Sequence, residues 1–115
     1  MIYVINRRRP AGSVPAGATV VYVGRPTPLG NKFTHKPTGT LAEVVVSSRY
    51  EAVECYYDWL EYELLERPAS RSAGTFNVLV RLARRGDLYL ECWCAPMLCH
   101  AHVLAERLMK EVSGG

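Results

Sequence analysis

Short runs of consecutive apolar residues, rich in β-branched side chains, constrain the fold of this 115-residue chain more than any other feature. Residues 2–5 and 19–23 are two such runs, and both predict strands buried on two faces, the pattern of an α/β sheet. Residues 88–94 predict another strand. Four side chains of that strand share one face by the two-residue period: Leu88, Leu90, Cys92 and Cys94. Residues 41–46 are ambiguous between a short strand and an irregular segment.

The first expected helix is signalled by Ser48 followed by Glu51, a capping-box pattern, and it runs to about Glu66. Two apolar stripes run along it. The predicted core stripe consists of Tyr50, Val53, Tyr57, Leu60 and Leu64. The second stripe, which we call the Cys55 face, consists of Cys55, Trp59 and Tyr62. Either loops of the chain cover this face or a second copy of the chain does, so a homodimer through it is one expectation.

Two more helices are expected in the second half of the chain. Residues 68–74 are predicted to be a polar linker, after which Thr75 caps a helix that Gly86 ends. A final helix follows Pro96. The order of strands and helices predicts the α/β class: a single small layered domain with a short, mainly parallel sheet flanked by about three helices.

Length and composition fit this architecture. The chain has the usual size of one domain and is 49% hydrophobic, so residues 1–115 are expected to form a single domain with a disordered tail at 113–115. The sequence contains no run of about 18 apolar residues, so we expect that the protein does not span a membrane. No apolar signal core follows the N-terminus. We therefore expect a cytoplasmic protein whose cysteines are reduced or metal-bound.

Charge is strongly segregated within the net +3 of the chain. Residues 1–40 carry six basic and no acidic side chains, whereas residues 41–68 carry seven acidic and two basic ones. An acid-free first third predicts a surface that faces anions, either a small molecule or a nucleic acid. Nucleic-acid binding would use Arg7, Arg8, Arg9, Lys32 and Lys36.

Five nitrogen and sulfur donors crowd into residues 92–102: Cys92, Cys94, Cys99, His100 and His102. The first two cysteines leave the end of a strand, while Cys99 and His100 lie at the start of the next helix. Three thiolates and one imidazole around one point would suit tetrahedral zinc, so the predicted ligands are Cys92, Cys94, Cys99 and His100. His100 is preferred to His102 because it shares a side with core residues of the helix.

The same residues allow two interpretations without a metal. A cysteine at a helix N-terminus has a lowered pKa, so Cys99 can be a nucleophile or a redox centre with His100 or His102 as its base. Alternatively, the thiols are small buried packing groups and the histidines are satisfied by local hydrogen bonds. The sequence leaves these alternatives open.

Residues 24–33 form a loop rich in glycine and proline that holds Arg25 and Asn31. A rigid loop with a guanidinium and an amide suits a phosphate, a carboxylate or a nucleobase edge. The other interpretation is an ordinary turn with a solvated arginine. If this loop and the cysteines emerge at one sheet edge, Arg25 and Asn31 lie beside Cys94, Cys99 and His100 in one pocket.

Three segments together resemble the family named domain of unknown function 4326: Tyr22-Val23-Gly24-Arg25-Pro26, Pro28-Leu29-Gly30-Asn31-Lys32-Phe33 and the segment Cys92–His100. The resemblance extends from Val4 to about Leu108. It implies a bacterial or bacteriophage protein and supplies no established activity. It also implies an acidic residue where this chain has His102, which leaves Cys99 and His100 as the stronger pair. Lys32 stands where the pattern suggests proline, which makes the loop more basic.

The expected function is to bind or process a nucleotide-like or other anionic ligand. Arg25 and Asn31 are the predicted ligand-binding residues, and Cys99 and His100 are the candidate catalytic residues. The alternative is a non-enzymatic module that binds nucleic acid or a host protein, with a structural zinc or no metal. Whether the protein is an enzyme is left open, and its expected location is the cytoplasm of a bacterial or phage-infected host cell.

Overall fold

The described residues, 1–36 and 42–114 of a computed structural model, contain five strands and three helices, numbered along the chain. The strands are β1 (Ile2–Asn6), β2 (Thr19–Tyr22), β3 (Phe33–Thr34), β4 (Val44–Val45) and β5 (Leu88–Cys92). The helices are α1 (Arg49–Glu66), α2 (Arg71–Arg85) and α3 (His100–Gly114). None of these helices is both long and apolar enough to cross a membrane.

The main sheet is parallel and has the order β1-β5-β2. Along β1, Ile2 lies opposite Leu88 and Asn6 lies opposite Cys92. Along β2, Thr19 also lies opposite Leu88. β3 and β4 form a separate parallel pair. The predicted α/β class, with a short parallel sheet and three helices, is confirmed, and the segments that follow β2 and β5 leave the sheet at the same edge.

The helices pack against one face of this sheet. Their buried side chains share a single core with Leu88, Leu90 and Cys92 of the central strand. The opposite face is open: Tyr3 is 38% exposed and Val20 is 36% exposed. The prediction that β1 and β2 are buried on both faces was therefore wrong. Instead of a second helical layer, Tyr3 stacks on Tyr89 with ring centres 4.7 Å apart, and each ring shields the other.

The cap of α1 at Ser48 is confirmed, because the Ser48 hydroxyl accepts a hydrogen bond from the Glu51 backbone N–H. The Glu51 carboxylate accepts from the Ser47 N–H rather than from that of Ser48. The core stripe of this helix, however, is rotated relative to the prediction. Val53 and Leu60 are buried as expected, but Tyr50 and Tyr57 are exposed. The buried side chains of α1 are Ala52, Val53, Tyr56, Leu60 and Glu63. The sequence pattern missed this face because Glu63 is charged and because Tyr50 and Tyr57 are as apolar as Tyr56. Two members of the face, Tyr56 and Glu63, carry polar groups.

Those two polar groups are buried at low cost because each has a partner. The Tyr56 hydroxyl donates to the backbone carbonyl of Leu29 at 2.7 Å. The Glu63 carboxylate accepts from the Ser72 hydroxyl at 2.6 Å and faces the Arg67 guanidinium. Partners for both side chains therefore come from outside α1, and the helix periodicity alone does not reveal them.

The boundaries of the other elements differ in part from the predictions. The linker predicted at 68–74 was wrong: α2 begins at Arg71, and its cap is Ser70, whose hydroxyl accepts from the Ala73 N–H, rather than Thr75. Gly86 ends α2 as predicted. The strand expected over 88–94 ends at Cys92.

Three other sequence-based expectations meet the structure only in part. Of the ambiguous segment 41–46, Val44–Val45 is a strand, and residue 41 lies outside the described residues. α3 extends to Gly114, within the segment expected to be a disordered tail. On the Cys55 face, Tyr62 is 54% exposed, while the Lys32 ammonium lies 5.1 Å from the centre of the Trp59 ring. A homodimer through this face stays a prediction.

Candidate functional site

A cavity of about 90 Å³ lies where the chain leaves β2 and β5. Five predicted site residues line it: Arg25, Asn31, Cys94, Cys99 and His100. Since the carboxyl ends of parallel strands meet at one sheet edge, the loop after β2 and the segment after β5 are brought together there. Cys92, the remaining predicted ligand, lies inside the core with 1% of its surface exposed.

Arg25 holds the most unusual polar atom of the cavity. Its Nη1 is buried and has no hydrogen-bond partner, and it is the one such side-chain nitrogen or oxygen among the described residues. The loop backbone is packed tightly around this residue, because a Cβ at Gly30 would lie 2.9 Å from the Cα and N of Arg25. The absence of a side chain at Gly30 therefore lets the loop fold back on Arg25 and hold it at the cavity.

Asn31 makes hydrogen bonds within the protein through both ends of its amide. Its Nδ2 donates to the Ala52 carbonyl of α1 at 3.2 Å, and its Oδ1 accepts from the Phe33 N–H at 2.9 Å. The side chain is buried, with 8% of its surface exposed. Its amide therefore anchors the loop to the first turns of α1. Direct ligand binding by Asn31 stays a prediction that these contacts do not favour.

The three clustered cysteines occupy different environments. Cys92 and Cys99 are buried, and their Sγ atoms are 3.3 Å apart. Cys94 is partly exposed and lies beyond the end of β5. A hydrogen bond from the Cys99 thiol, together with the Arg49 and Arg25 guanidinium groups, lowers the pKa of Cys94 to about 5. Hydrogen bonds to Cys92 and Cys94 and burial raise the pKa of Cys99, which therefore keeps its proton.

His100 is the first residue of α3 and is buried. Its Nε2 lies 2.8 Å from the Val23 carbonyl, so this nitrogen carries the ring proton and donates a hydrogen bond to the carbonyl that directly follows β2. The ring meets the Tyr56 ring edge-on, with centres 5.0 Å apart. Burial, with help from the nearby Arg25 charge, lowers the pKa of His100 to about 4. The imidazole is neutral at physiological pH and ties β2 to α3.

His102 has a role that the sequence interpretation missed. Its Nδ1 accepts a hydrogen bond from the Cys99 backbone N–H at 3.2 Å and lies 3.6 Å from the Cys99 Sγ. Cys99 immediately precedes α3, so this is the reciprocal half of a capping box, supplied by an imidazole in place of a carboxylate. The resemblance implies an acidic residue here. A carboxylate three residues after the cap can accept the same hydrogen bond from the backbone N–H of the cap residue.

The predicted zinc ligands do not form a tetrahedral set. Thiolates bound to one zinc at about 2.3 Å lie about 3.8 Å apart, farther than the 3.3 Å between Cys92 and Cys99. The Nε2 of His100 is already bonded to Val23. Across residues 1–36 and 42–114, no group of three or more His, Cys, Asp or Glu side chains is suited to hold a metal ion. Zinc stays a prediction without support from this geometry.

Arg49, which the sequence interpretation missed, is the second guanidinium of the cavity. It is the first residue of α1, and its guanidinium helps to lower the pKa of the Cys94 thiol. His35 and Lys36 also line the cavity, and its described lining contains no carboxylate. Arg49 lies in the acidic part of the sequence, so charge segregation gave no signal for it. Only the packing of α1 brings it to this position.

The arginines of the N-terminal run are only partly free. Arg7 and Arg9 both pair with Glu91, which the parallel register places beside the end of β1. Arg8 instead has its guanidinium 5.3 Å from the centre of the Trp93 ring. One internal carboxylate therefore offsets one of the three positive charges of this run.

Of the comparisons with known proteins, one finds a match, and it is to a protein family. No curated protein and no solved structure matches the chain with significant similarity. The family model described as "Domain of unknown function (DUF4326)" matches residues 5–110, which include the loop after β2, the cysteine segment and most of α3. The chain therefore belongs to the domain of unknown function 4326 family.

Proposed function

We propose that the cavity binds a small anion or the anionic group of a nucleotide-like ligand. The observation that carries this proposal is the buried Arg25 Nη1 without a protein partner. An unsatisfied buried donor costs about 1–3 kcal/mol, and more when it is charged. An anion in the cavity would supply the acceptor, and Arg49 would add a second positive charge to it.

The starts of two helices support the same proposal. The first turn of α1 contributes Arg49 and Ala52 to the cavity wall, and the start of α3 contributes Cys99 and His100. Helix N-termini carry partial positive charge and favour anions. A volume of about 90 Å³ is well below the roughly 300 Å³ of a typical pocket for a whole small molecule. The cavity therefore suits a phosphate or carboxylate group, with the rest of the ligand outside.

Calorimetry and thermal unfolding with inorganic phosphate test the proposal. Phosphate should bind the wild-type chain and raise its Tm, and a tenfold excess over Kd should stabilise it by about 1.4 kcal/mol. Arg25→Gln should lose this effect. Arg81→Gln is the matched control, because Arg81 lies exposed on α2 and its substitution removes the same charge. Equal phosphate binding by Arg25→Gln and the wild type, or no effect beyond that of sodium chloride at equal ionic strength, would refute it.

A second candidate function, nucleic-acid binding, is favoured by the pairing of Arg8 with the half-exposed Trp93. An aromatic ring beside a guanidinium is the kind of platform on which single-stranded bases stack. Titration with a single-stranded oligonucleotide, followed by tryptophan fluorescence, tests this alternative. Binding that weakens steeply with salt and is lost in Arg8→Gln would support it, whereas salt-insensitive or absent binding would rule it out.

A further inference from the structure

Cys94 stands apart from its two neighbouring cysteines in accessibility. Cys92 has 1% and Cys99 has 4% of its surface exposed, and their sulfur atoms contact each other. Cys94 is partly exposed and lines the cavity beyond the end of β5. A backbone hydrogen bond from the Met97 N–H to the Cys94 carbonyl closes a turn here. A small molecule in the cavity would thus meet Cys94 before it met the other two sulfurs.

The surroundings of Cys94 favour a charged sulfur. The Arg25 and Arg49 guanidinium groups line the same cavity as the Cys94 sulfur. The described cavity lining carries cationic groups and no carboxylate. Reactive cysteines occupy partly exposed, electropositive surroundings of this kind, whereas buried structural cysteines are inert.

We propose that Cys94 is the nucleophile of this cavity and that it reacts with small electrophiles that carry an anionic group. This inference rests on the proposed function, because Arg25 and Arg49 would bind the anionic group beside the sulfur. In the simplest such step the sulfur attacks a carbon atom next to a carboxylate. A sulfur–carbon bond forms, the bond from that carbon to the leaving group breaks, and the leaving group departs with its electron pair. The thiol proton passes to solvent, so no oxidant or further reactant is needed.

This assignment differs from the expectation that Cys99 and His100 are catalytic. The Cys99 thiol is buried, and its Sγ lies 3.3 Å from the Cys92 Sγ. The His100 Nε2 is committed to the Val23 carbonyl. In the proposed arrangement Cys99 is a positioning residue that stabilises the Cys94 sulfur, and His100 holds the start of α3 in place.

Two alkylating probes of similar size test the proposal at pH 7: iodoacetate, which is anionic, and iodoacetamide, which is neutral. Mass spectrometry of the reduced wild-type chain gives the rate at each cysteine. Cys55 is an internal reference, because it lies on α1 near the carboxylates of Glu51, Glu54 and Asp58. Relative to Cys55, Cys94 should prefer iodoacetate over iodoacetamide by at least about fourfold, the effect in water of a unit charge at about 5 Å from a guanidinium.

Matched variants identify the source of that preference. Arg25→Gln and Arg49→Gln should each reduce the preference of Cys94 for iodoacetate, while Arg81→Gln should leave it unchanged. Inorganic phosphate at tenfold its Kd should slow the labelling of Cys94 about tenfold and leave Cys55 unaffected. Circular dichroism and thermal unfolding of each variant establish that it is folded before its rates are compared.

Several results would overturn the proposal. Labelling of Cys94 no faster than that of Cys55, the same probe preference at both cysteines, or one zinc per chain that protects Cys94 would each do so. If phosphate binds in the calorimetric experiment but Cys94 is unreactive, this inference fails and the anion site stands. If phosphate does not bind but Cys94 still prefers iodoacetate, the anion site as proposed fails and the nucleophile alone is supported.

Discussion

His100 should make the protein sensitive to mild acid. The residue is 7% exposed, and its ring donates through Nε2 to the Val23 carbonyl and lies near the Arg25 guanidinium. Protonation of its Nδ1 would place a positive charge inside the core, close to the Arg25 guanidinium. Burial of a charge without a partner is costly, so the folded chain resists this proton.

The sign and size of the effect follow from two pKa values. The pKa of His100 in the fold is about 4, against an ordinary value of 6.5. Between these two pH values the unfolded chain binds a proton that the folded chain does not. The free energy of unfolding therefore falls as the pH drops from 6.5 towards 4. The difference corresponds to about 3 kcal/mol, a large part of the roughly 5–15 kcal/mol that stabilises a typical domain.

Urea unfolding, followed by far-UV circular dichroism at pH 4, 5, 6 and 7, measures this loss. His100→Gln is the informative variant, because a glutamine amide can still donate to the Val23 carbonyl and does not titrate. It should be less stable than the wild type at pH 7, where ring packing against Tyr56 is lost. The gap between the two proteins should shrink by about 3 kcal/mol at pH 4.

The carboxylates and Cys94 titrate in both proteins, so the comparison isolates His100. Two parallel curves of unfolding free energy against pH would refute the reasoning. An NMR titration of the His100 ring with a pKa above 6 in the folded protein would refute it equally, because it would show that the fold accepts the charge.

Two further predictions concern contacts that hold the cavity walls in place. Tyr56→Phe removes the hydroxyl that donates to the buried Leu29 carbonyl and should lower the free energy of unfolding by about 1–3 kcal/mol in urea denaturation; a neutral result would mean that water replaces the hydroxyl. Ser70→Ala removes the cap of α2 and should cost about 1 kcal/mol in the same assay, whereas Thr75→Ala, at the position expected from sequence to be the cap, should cost less. The reverse order would show that α2 begins where the sequence suggested.

The sequence was sufficient to predict those elements whose formation depends on residues close together along the chain. The cap at Ser48 and the β-branched runs of β1 and β2 were recognised because caps and strands are short-range patterns. The α2 start was missed because Arg71 and Ser72 are polar, although packing on α1 buries Ser72 against Glu63. A polar first turn looks like a linker until its partner is known.

The sequence by itself determined the α/β class. It left the meeting of the loop after β2 with the cysteine segment as a condition, and the parallel sheet meets that condition because it delivers both segments to the same edge. Only the tertiary structure decided which cysteine faces the cavity and that Arg49 stands beside it. Those outcomes depend on how α1 and α3 are rotated against the sheet. That rotation is set by contacts between residues far apart in the chain, such as the Tyr56 hydroxyl with Leu29 and the His100 ring with Val23.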